Sequence, residues 1–113
     1  MYKKIREDGN QIYIITARDY EFHDDPYGIS KEWLGKNGIE YDKLVVNARS
    51  KAKACLEEKV DIFIDDKLSN CIDVSNAGIL TIRITNYEDE HQNIVNKKNW
   101  KDIYEYIKEI KIN

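Results

Sequence analysis

Val60-Asp61-Ile62-Phe63-Ile64-Asp65-Asp66 is the stretch of sequence that decides the fold. Its apolar, partly β-branched centre predicts a buried strand, and two carboxylates follow where that strand ends. In a parallel sheet that is covered by helices, ligands bind beyond the carboxyl ends of the strands. The acidic pair Asp65-Asp66 therefore marks a candidate binding edge as well as the end of a strand.

Helical and strand patterns alternate on both sides of this stretch. Helices are predicted over residues 2–8, 49–59, 69–77 and 100–112, together with a short helix around Trp33 that Ser30 caps and Gly35 or Gly38 ends. Strands are predicted over residues 11–16, 41–47, 60–64 and 79–84. Residues 18–28, which include the single proline, Pro26, and residues 86–99 are predicted to be loops. The alternation predicts an α/β fold with a mostly parallel sheet and helices on both faces.

The apolar periodicity of three helices predicts which side chains face the core. The predicted inward residues are Ala52, Cys55 and Leu56 in one helix, Cys71, Ile72 and Val74 in the next, and Trp100, Ile103, Tyr104, Ile107 and Ile110 in the last.

The bulk properties exclude several classes of protein. The chain has 113 residues, which suits one domain over residues 1–113. With 42% apolar and 35% charged residues, it is expected to fold as a globular protein. No apolar run approaches the ~20 residues that span a bilayer, and no secretory signal is recognisable, so no membrane association is expected. A net charge of −3 argues against a nucleic acid polymer as partner. Two cysteines form no disulfide framework, which fits the cytoplasm.

Polar side chains of complementary chemistry follow three of the predicted strands. Thr16 and Arg18 follow the first, Lys51 follows the second with Lys53 as a rival, and Asp65-Asp66 follow the third. A hydroxyl and cations can bind phosphate oxygens, whereas carboxylates suit Mg²⁺. Two simpler interpretations remain open: the acidic pair could cap the following helix, and Lys51 could be an ordinary solvated helix residue.

Taken together, these stretches resemble the motifs of the haloacid dehalogenase superfamily. Ile14-Ile15-Thr16-Ala17-Arg18 is similar to the second motif, Lys51 to the third, and Ile62-Phe63-Ile64-Asp65-Asp66-Lys67 to the fourth. The spacing and the tail around Trp100 resemble bacterial nucleotidases related to the 5′(3′)-deoxyribonucleotidases. The resemblance implies a Rossmann-like three-layer sandwich in which Thr16, Arg18 and Lys51 contact phosphate. It further implies that Thr16 and Lys51 act in catalysis, that Asp66 binds Mg²⁺, and that Asp65 supports the metal's waters or Lys51.

The sequence departs from this family at one decisive place. The family's first motif, Asp-x-Asp-x-Thr, supplies a nucleophilic aspartate from a central strand, and these residues contain no such motif. We therefore expect a truncated core domain that lacks the central first strand and the cap, is inactive alone and binds Mg²⁺ weakly. The missing strand would leave two apolar edges facing a gap. Either those edges pair with each other, or the gap promotes self-association or the binding of a complementing chain.

Two functional hypotheses follow from these observations. The first is a Mg²⁺-dependent phosphomonoester hydrolase, nucleotidase-like in its complete form, acting on a phosphorylated small molecule or a nucleotide. The alternative is a non-catalytic α/β module that binds an anion or a protein. A receiver or flavodoxin-like domain fits less well, because a receiver carries its acidic pair after the first strand. His23-Asp24-Asp25 is more simply a solvated loop than a metal site, and Tyr20, Phe22 and Tyr27 could cover the site or stack on a base.

Overall fold

A computed structural model describes residues 2–16, 25–46, 48 and 50–112. Five helices and five strands lie within these ranges. In chain order they are α1 (Tyr2–Glu7), β1 (Tyr13–Ile15), α2 (Pro26–Lys36), β2 (Lys43–Val45), α3 (Lys51–Glu57), β3 (Ile62–Asp65), α4 (Leu68–Asn76), β4 (Leu80–Ile84), β5 (Ile94–Lys97) and α5 (Trp100–Ile112).

The strands form two parallel sheets. One sheet pairs β1 with β2, and the other has the order β3-β4-β5, with every ladder parallel. Helices connect most of the strands and pack around both sheets, so the α/β prediction and its parallel strands are confirmed. The architecture is Rossmann-like, with the parallel strands divided between two sheets rather than joined in one.

Two side-chain contacts fix the direction of β3 relative to β1. The Lys51 ammonium at the start of α3 contacts the Ile15 carbonyl at the end of β1. At the other end of α3, Glu58 forms an ion pair with Lys43 at the start of β2, with an N–O distance of 2.6 Å. Helix α3 therefore returns the chain to the starting end of β1 and β2, and β3 runs in the same direction as both.

Two apolar clusters pack against the sheets. Ile82 of β4 packs with Ile5 of α1 and with Ile103 and Ile107 of α5. A second cluster joins Phe63 of β3 to residues of α3 and α4, namely Ala52, Cys55 and Val74. Burial of these side chains supplies most of the driving force for folding. The clusters cover opposite sides of the three-stranded sheet, because Ile82 is the register partner of Ile64 and the neighbouring Phe63 lies on the other face of β3.

The prediction that residues 86–99 form a loop is wrong over its second half. Ile94–Lys97 forms β5 and pairs with β4 from Thr81↔Ile94 to Ile84↔Lys97. Only two of its four residues are apolar, and all four are half-buried, so the sequence lacks the apolar run of a buried strand. A turn precedes it, in which Asn93 has φ +65°. Asparagine tolerates this left-handed conformation better than most residues. Asn93 was therefore the sequence feature that could have indicated a turn before β5.

The start of α2 also differs from the prediction. Pro26 lies inside the helix at its first turn rather than in a loop, and Asp25 rather than Ser30 caps it. The Gly28 N–H donates to Asp25 Oδ1 at 3.0 Å, while Ser30 is buried within the helix. A proline fits the first helical turn because its missing N–H needs no partner there. Helix α2 ends at Lys36, and Gly38 follows it with φ +65°. This agrees with Gly38 as one of the two predicted ends of the helix.

The predicted inward faces are correct at most positions and wrong at three, one of which is Trp100, 40% exposed at the start of α5. Ala52, Cys55, Cys71, Val74, Ile103 and Ile107 are buried. Leu56 is 57% exposed and Ile72 is 40% exposed, so both lie on the outer sides of their helices. In helices α3 and α4 a smaller neighbour two residues away, Ala54 or Val74, is buried instead.

Between β1 and β3 the structure leaves a groove rather than a strand pairing. Among the described residues, each of these strands pairs on one side only, β1 with β2 and β3 with β4. Residues from both strands line a groove of about 830 Å³ between them. Of the two arrangements expected from the sequence, direct pairing of the edges is therefore not observed. In the described part of the chain, none of the helices has the length and apolar composition needed to cross a membrane.

Candidate active site

Thr16 lies immediately after β1, at the carboxyl edge of the first sheet. Its N–H donates to the Val45 carbonyl at 2.9 Å, and its carbonyl accepts a hydrogen bond from the Ala48 N–H at 3.0 Å. These bonds continue the parallel ladder one residue beyond the strand. They hold the half-buried Thr16 at the edge where ligands bind in parallel α/β sheets. Arg18, the other residue predicted there, lies outside the described residues.

Lys51 is the first residue of α3, and its side chain crosses to the end of β1. Its ammonium donates to the Ile15 carbonyl at 2.6 Å. Ser50 caps this helix by accepting from the Lys53 N–H at 3.2 Å, and Asp73 of α4 accepts from the Ala52 N–H at 3.3 Å. The cap fixes the direction in which Lys51 leaves the helix. Lys53, its rival, is exposed, so the structure brings Lys51 rather than Lys53 to the strand end.

The acidic pair ends β3 in two different environments. Asp65 is half-buried, and its carboxylate accepts from the Lys67 N–H at 2.9 Å and from Asn70 Nδ2 at 3.1 Å. Asp66 is exposed to solvent. The simpler interpretation of the pair thus holds in part, because Asp65 organises the turn into α4. The carboxylate of Asp66 remains accessible to a cation from solvent.

Arg83 is a charged residue of this edge that the sequence patterns did not single out. It is the register partner of Asp65 on β4 and is 7% exposed. Its Nη1 atom contacts both oxygens of Asp89, at 3.0 and 3.2 Å. Hydrogen bonds from His91 and then from Arg83 hold the pKa of Asp89 below its ordinary value. The sequence feature that could have indicated this residue is a single arginine between two isoleucines of a predicted strand, because a buried charge requires a partner.

Lys51, Ile15 and Asp65 line one end of the groove between β1 and β3. This end therefore combines an ammonium group and a carboxylate, with the Thr16 backbone directly after Ile15. Such an edge can bind an anion through the cation and, through Asp65 and Asp66, a hard metal ion beside it. The other lining residues include isoleucines of both strands and of the helices, namely Ile14, Ile62, Ile64, Ile5 and Ile107. Polar residues also line the groove, namely Asn10, Gln11, Glu58, Lys59 and Asp61.

The other candidate groups from the sequence lie partly outside the described residues. Asp25 is the cap of α2, whereas His23, Asp24, Tyr20 and Phe22 lie outside the described residues. Tyr27 is 44% exposed in the first turn of α2. Within the described ranges, no three His, Cys, Asp or Glu side chains are grouped to hold a metal ion.

Two curated proteins share detectable sequence similarity with this chain. A nucleotidase of Clostridium acetobutylicum is 29% identical over 99 residues, which cover 84% of this chain and 50% of the relative. A protein of Chlorobaculum tepidum named "Putative 5'(3')-deoxyribonucleotidase" is 28% identical over 109 residues, 94% of this chain and 51% of the relative. This chain is similar to nucleotidases. No family model matches the sequence, and no solved structure matches it.

The nucleotidase similarity extends over most of this chain but over half of each relative. The chain spans about half the length of the curated relatives it matches. Each relative therefore contains about as much further polypeptide as the matched segment itself. The similarity agrees with the nucleotidase resemblance drawn from Thr16, Lys51 and Asp65-Asp66.

Proposed function

We propose that these residues form part of a Mg²⁺-dependent phosphomonoester hydrolase of the haloacid dehalogenase type that acts on a nucleotide. One observation carries the proposal: the Lys51 ammonium lies 2.6 Å from the Ile15 carbonyl, one residue before Thr16 and at the same end of the groove as Asp65. Phosphoryl transfer needs a cation and metal-binding carboxylates together, because negative charge spreads over the phosphoryl oxygens. The names of the two relatives support the nucleotide as substrate class.

The carboxylates present fit a weak Mg²⁺ site. Mg²⁺ usually keeps several waters and binds to proteins through one or two carboxylates plus substrate phosphates. Asp66 is exposed and can provide such an oxygen directly. Both oxygens of Asp65 already accept hydrogen bonds, one from the Lys67 N–H and one from Asn70 Nδ2. Asp65 would therefore support the metal's waters or Lys51 rather than bind the ion directly. When bound, the ion would neutralise charge on the phosphate.

The chain's own residues would bind and orient the phosphoryl group. The Thr16 hydroxyl would donate a hydrogen bond to one phosphoryl oxygen, and Arg18 would add a second contact. Lys51 would leave the Ile15 carbonyl and neutralise the phosphate and the attacking carboxylate. That carboxylate belongs to an aspartate of the family's first motif, which these 113 residues do not contain. We therefore propose that this chain binds phosphate and nucleotides without turning them over.

Binding and turnover are tested separately. Titration of the chain with a nucleoside monophosphate and Mg²⁺ in a calorimeter should give saturable binding that Lys51→Ala weakens by about tenfold or more. A hydrogen bond to a charged group contributes about 1.5–3 kcal/mol, and each 1.4 kcal/mol is about tenfold in affinity. Lys53→Ala is the matched control and should bind like the unmodified chain. Equal losses in both variants, or in neither, would contradict the role of Lys51.

A chromogenic phosphomonoester with Mg²⁺ tests the expected inactivity. The chain should show no turnover above that of buffer. Turnover that Asp66→Ala abolishes would show that the chain contains a complete catalytic site and would overturn this part of the proposal. Binding without any metal dependence would favour the alternative, a non-catalytic module that binds an anion.

A further inference from the structure

Helix α4 contacts both halves of the candidate site from one side. Asn70 and Asp73 lie on α4 at a spacing that places two residues on the same side of a helix. Asn70 Nδ2 donates to Asp65 Oδ2 at 3.1 Å, in the carboxylate half of the site. Asp73 Oδ2 accepts from the Ala52 N–H at 3.3 Å, at the start of the helix that carries Lys51. One helix therefore contacts both the acidic pair and the base of the ammonium group.

The first turn of α3 depends on Asp73 for one of its N–H groups. The first N–H groups of a helix have no partner inside the helix, so side chains or water must accept from them. Ser50 accepts from the Lys53 N–H at 3.2 Å, whereas the Ala52 N–H donates to Asp73. The Ser50 hydroxyl also lies 3.4 Å from Asp73 Oδ2. Asp73 thus contacts both the helix start and the residue that caps it.

A helix as short as α3 needs contacts from other elements to keep its position. It has seven residues, and isolated helices shorter than about 12 residues are marginal in water. The ion pair of Glu58 with Lys43 holds its far end, and Asp73 holds its start. Lys51 is the first residue of the helix, directly before the N–H that Asp73 binds. The position of the helix start therefore decides whether the ammonium reaches the Ile15 carbonyl, 2.6 Å away.

The charges around the start of α3 agree with this arrangement. Burial raises the pKa of the Cys55 thiol to about 11, and on the same thiol Lys51 acts to lower the pKa and Asp73 to raise it. Both charged groups therefore lie within electrostatic range of one buried atom. Asp73 is itself exposed, and an anionic side chain is favoured beside the partial positive charge of helix N–H groups.

We propose that Asp73 is a positioning residue for Lys51: it holds the start of α3 so that the ammonium lies at the end of β1. This role rests on the proposed function, in which Lys51 binds the phosphate, but the contact between Lys51 and Ile15 exists without a ligand and is measured without one. Asp73 touches neither phosphate nor metal in this assignment. The sequence patterns did not single it out, because its partner Ala52 lies 21 positions away in the chain.

The carbonyl carbon resonance of Ile15 reports the contact with Lys51 in the chain without ligand. Lys51→Ala gives the resonance of the broken contact. Asp73→Ala should shift the Ile15 carbonyl resonance most of the way to that value, because the ammonium loses its position. Asp73→Asn keeps an acceptor oxygen and should leave the resonance close to that of the unmodified chain. An unchanged resonance in Asp73→Ala would overturn the proposal.

Glu58→Ala is the matched control, since it removes the contact at the other end of the same helix. We expect it to leave the Ile15 carbonyl resonance close to its value in the unmodified chain. A shift as large as that in Asp73→Ala would mean that any loosening of α3 displaces Lys51, which would contradict a specific role for Asp73.

Nucleotide affinity extends the test to the site itself. With a nucleoside monophosphate and Mg²⁺ in a calorimeter, Asp73→Ala should weaken binding about fivefold, a typical effect of losing one contact at a helix start. In the Lys51→Ala background the same change should have no further effect, because Asp73 acts through Lys51. Equal weakening in both backgrounds would overturn the proposal. If the unmodified chain binds no nucleotide, the proposed function fails, whereas the Ile15 resonance still decides the role of Asp73.

Discussion

Asp42 connects the start of β1 to α1 through three hydrogen bonds. The Ile12 N–H donates to Oδ2 at 2.6 Å, and Arg6 donates to Oδ1 at 3.0 Å and to Oδ2 at 3.4 Å. The hydrogen bonds from Arg6, followed by that from Ile12, hold the pKa of this carboxyl below its ordinary value. Asp42 thereby fixes the entrance of the groove wall that β1 forms.

The lowered pKa of Asp42 predicts a pH-dependent contribution to stability. The contribution is complete above the unfolded-state pKa of about 3.9 and is lost as the pH falls through the lower folded value. We expect Asp42→Asn to lower the urea midpoint near neutral pH and to approach the unmodified chain as the pH falls through the lowered folded-state pKa of Asp42. Glu57→Gln, at an exposed position of α3, is the control for loss of a charge. A difference in urea midpoint that stays constant across this pH range would contradict the prediction.

Cys55 and Cys71 are fully buried, and burial raises the pKa of each thiol to about 11. A rise of about two pKa units lowers the thiolate fraction at neutral pH about a hundredfold, and the thiolate is the reactive form. We expect the folded chain to react with a disulfide reagent far more slowly than the chain in concentrated urea, where both thiols should react fully. Rapid reaction of either thiol under native conditions would show that the packing around it opens readily.

At the scale of elements, α5 closes one face of the sheet through two isoleucines. Ile103 is fully buried against Ile82 of β4, whereas Ile72 of α4 is 40% exposed. Ile103→Ala should therefore lower the free energy of unfolding by about 2–5 kcal/mol, because it removes buried methyl groups and leaves a cavity. Ile72→Ala, the same change in another helix, should cost less than about 1 kcal/mol. Urea unfolding of both variants measures the difference, and equal losses would contradict the assigned helix faces.

The elements that the sequence predicts correctly are those with an unambiguous local pattern. The run Ile62-Phe63-Ile64 and the stripe of Ile103 and Ile107 each have one solution that buries apolar surface. Strand β5 lacks such a run. It forms because it pairs with β4, and no local sequence pattern reveals that pairing. The contact of Lys51 with Ile15 likewise depends on residues 36 positions apart. The motif order predicted the sheet edge at which Lys51 lies, whereas its partner atom, the Ile15 carbonyl oxygen, follows only from the packing of α3.

At the scale of the whole molecule, the two sheets differ in how many neighbours support them. The sheet β1-β2 has two strands of three residues, and an isolated pair of strands is marginally stable in water. The sheet β3-β4-β5 has three strands and contains the fully buried Thr81 and Ile82 at its centre. Because no strand ladder joins the sheets within the described residues, cooperativity between them depends on helix packing and side chains alone.

Native-state hydrogen exchange should therefore resolve two levels of opening. We expect the Ile82 amide on β4 to exchange only through global unfolding, since it lies in a ladder with neighbours on both sides. The Ile14 amide, which pairs with β2, should exchange through a smaller opening that responds weakly to urea. Measurement of both amides at increasing urea concentration checks this, because the slope of free energy with urea reports the surface exposed. Coincident slopes would show that helices and side chains already join the sheets into one cooperative unit.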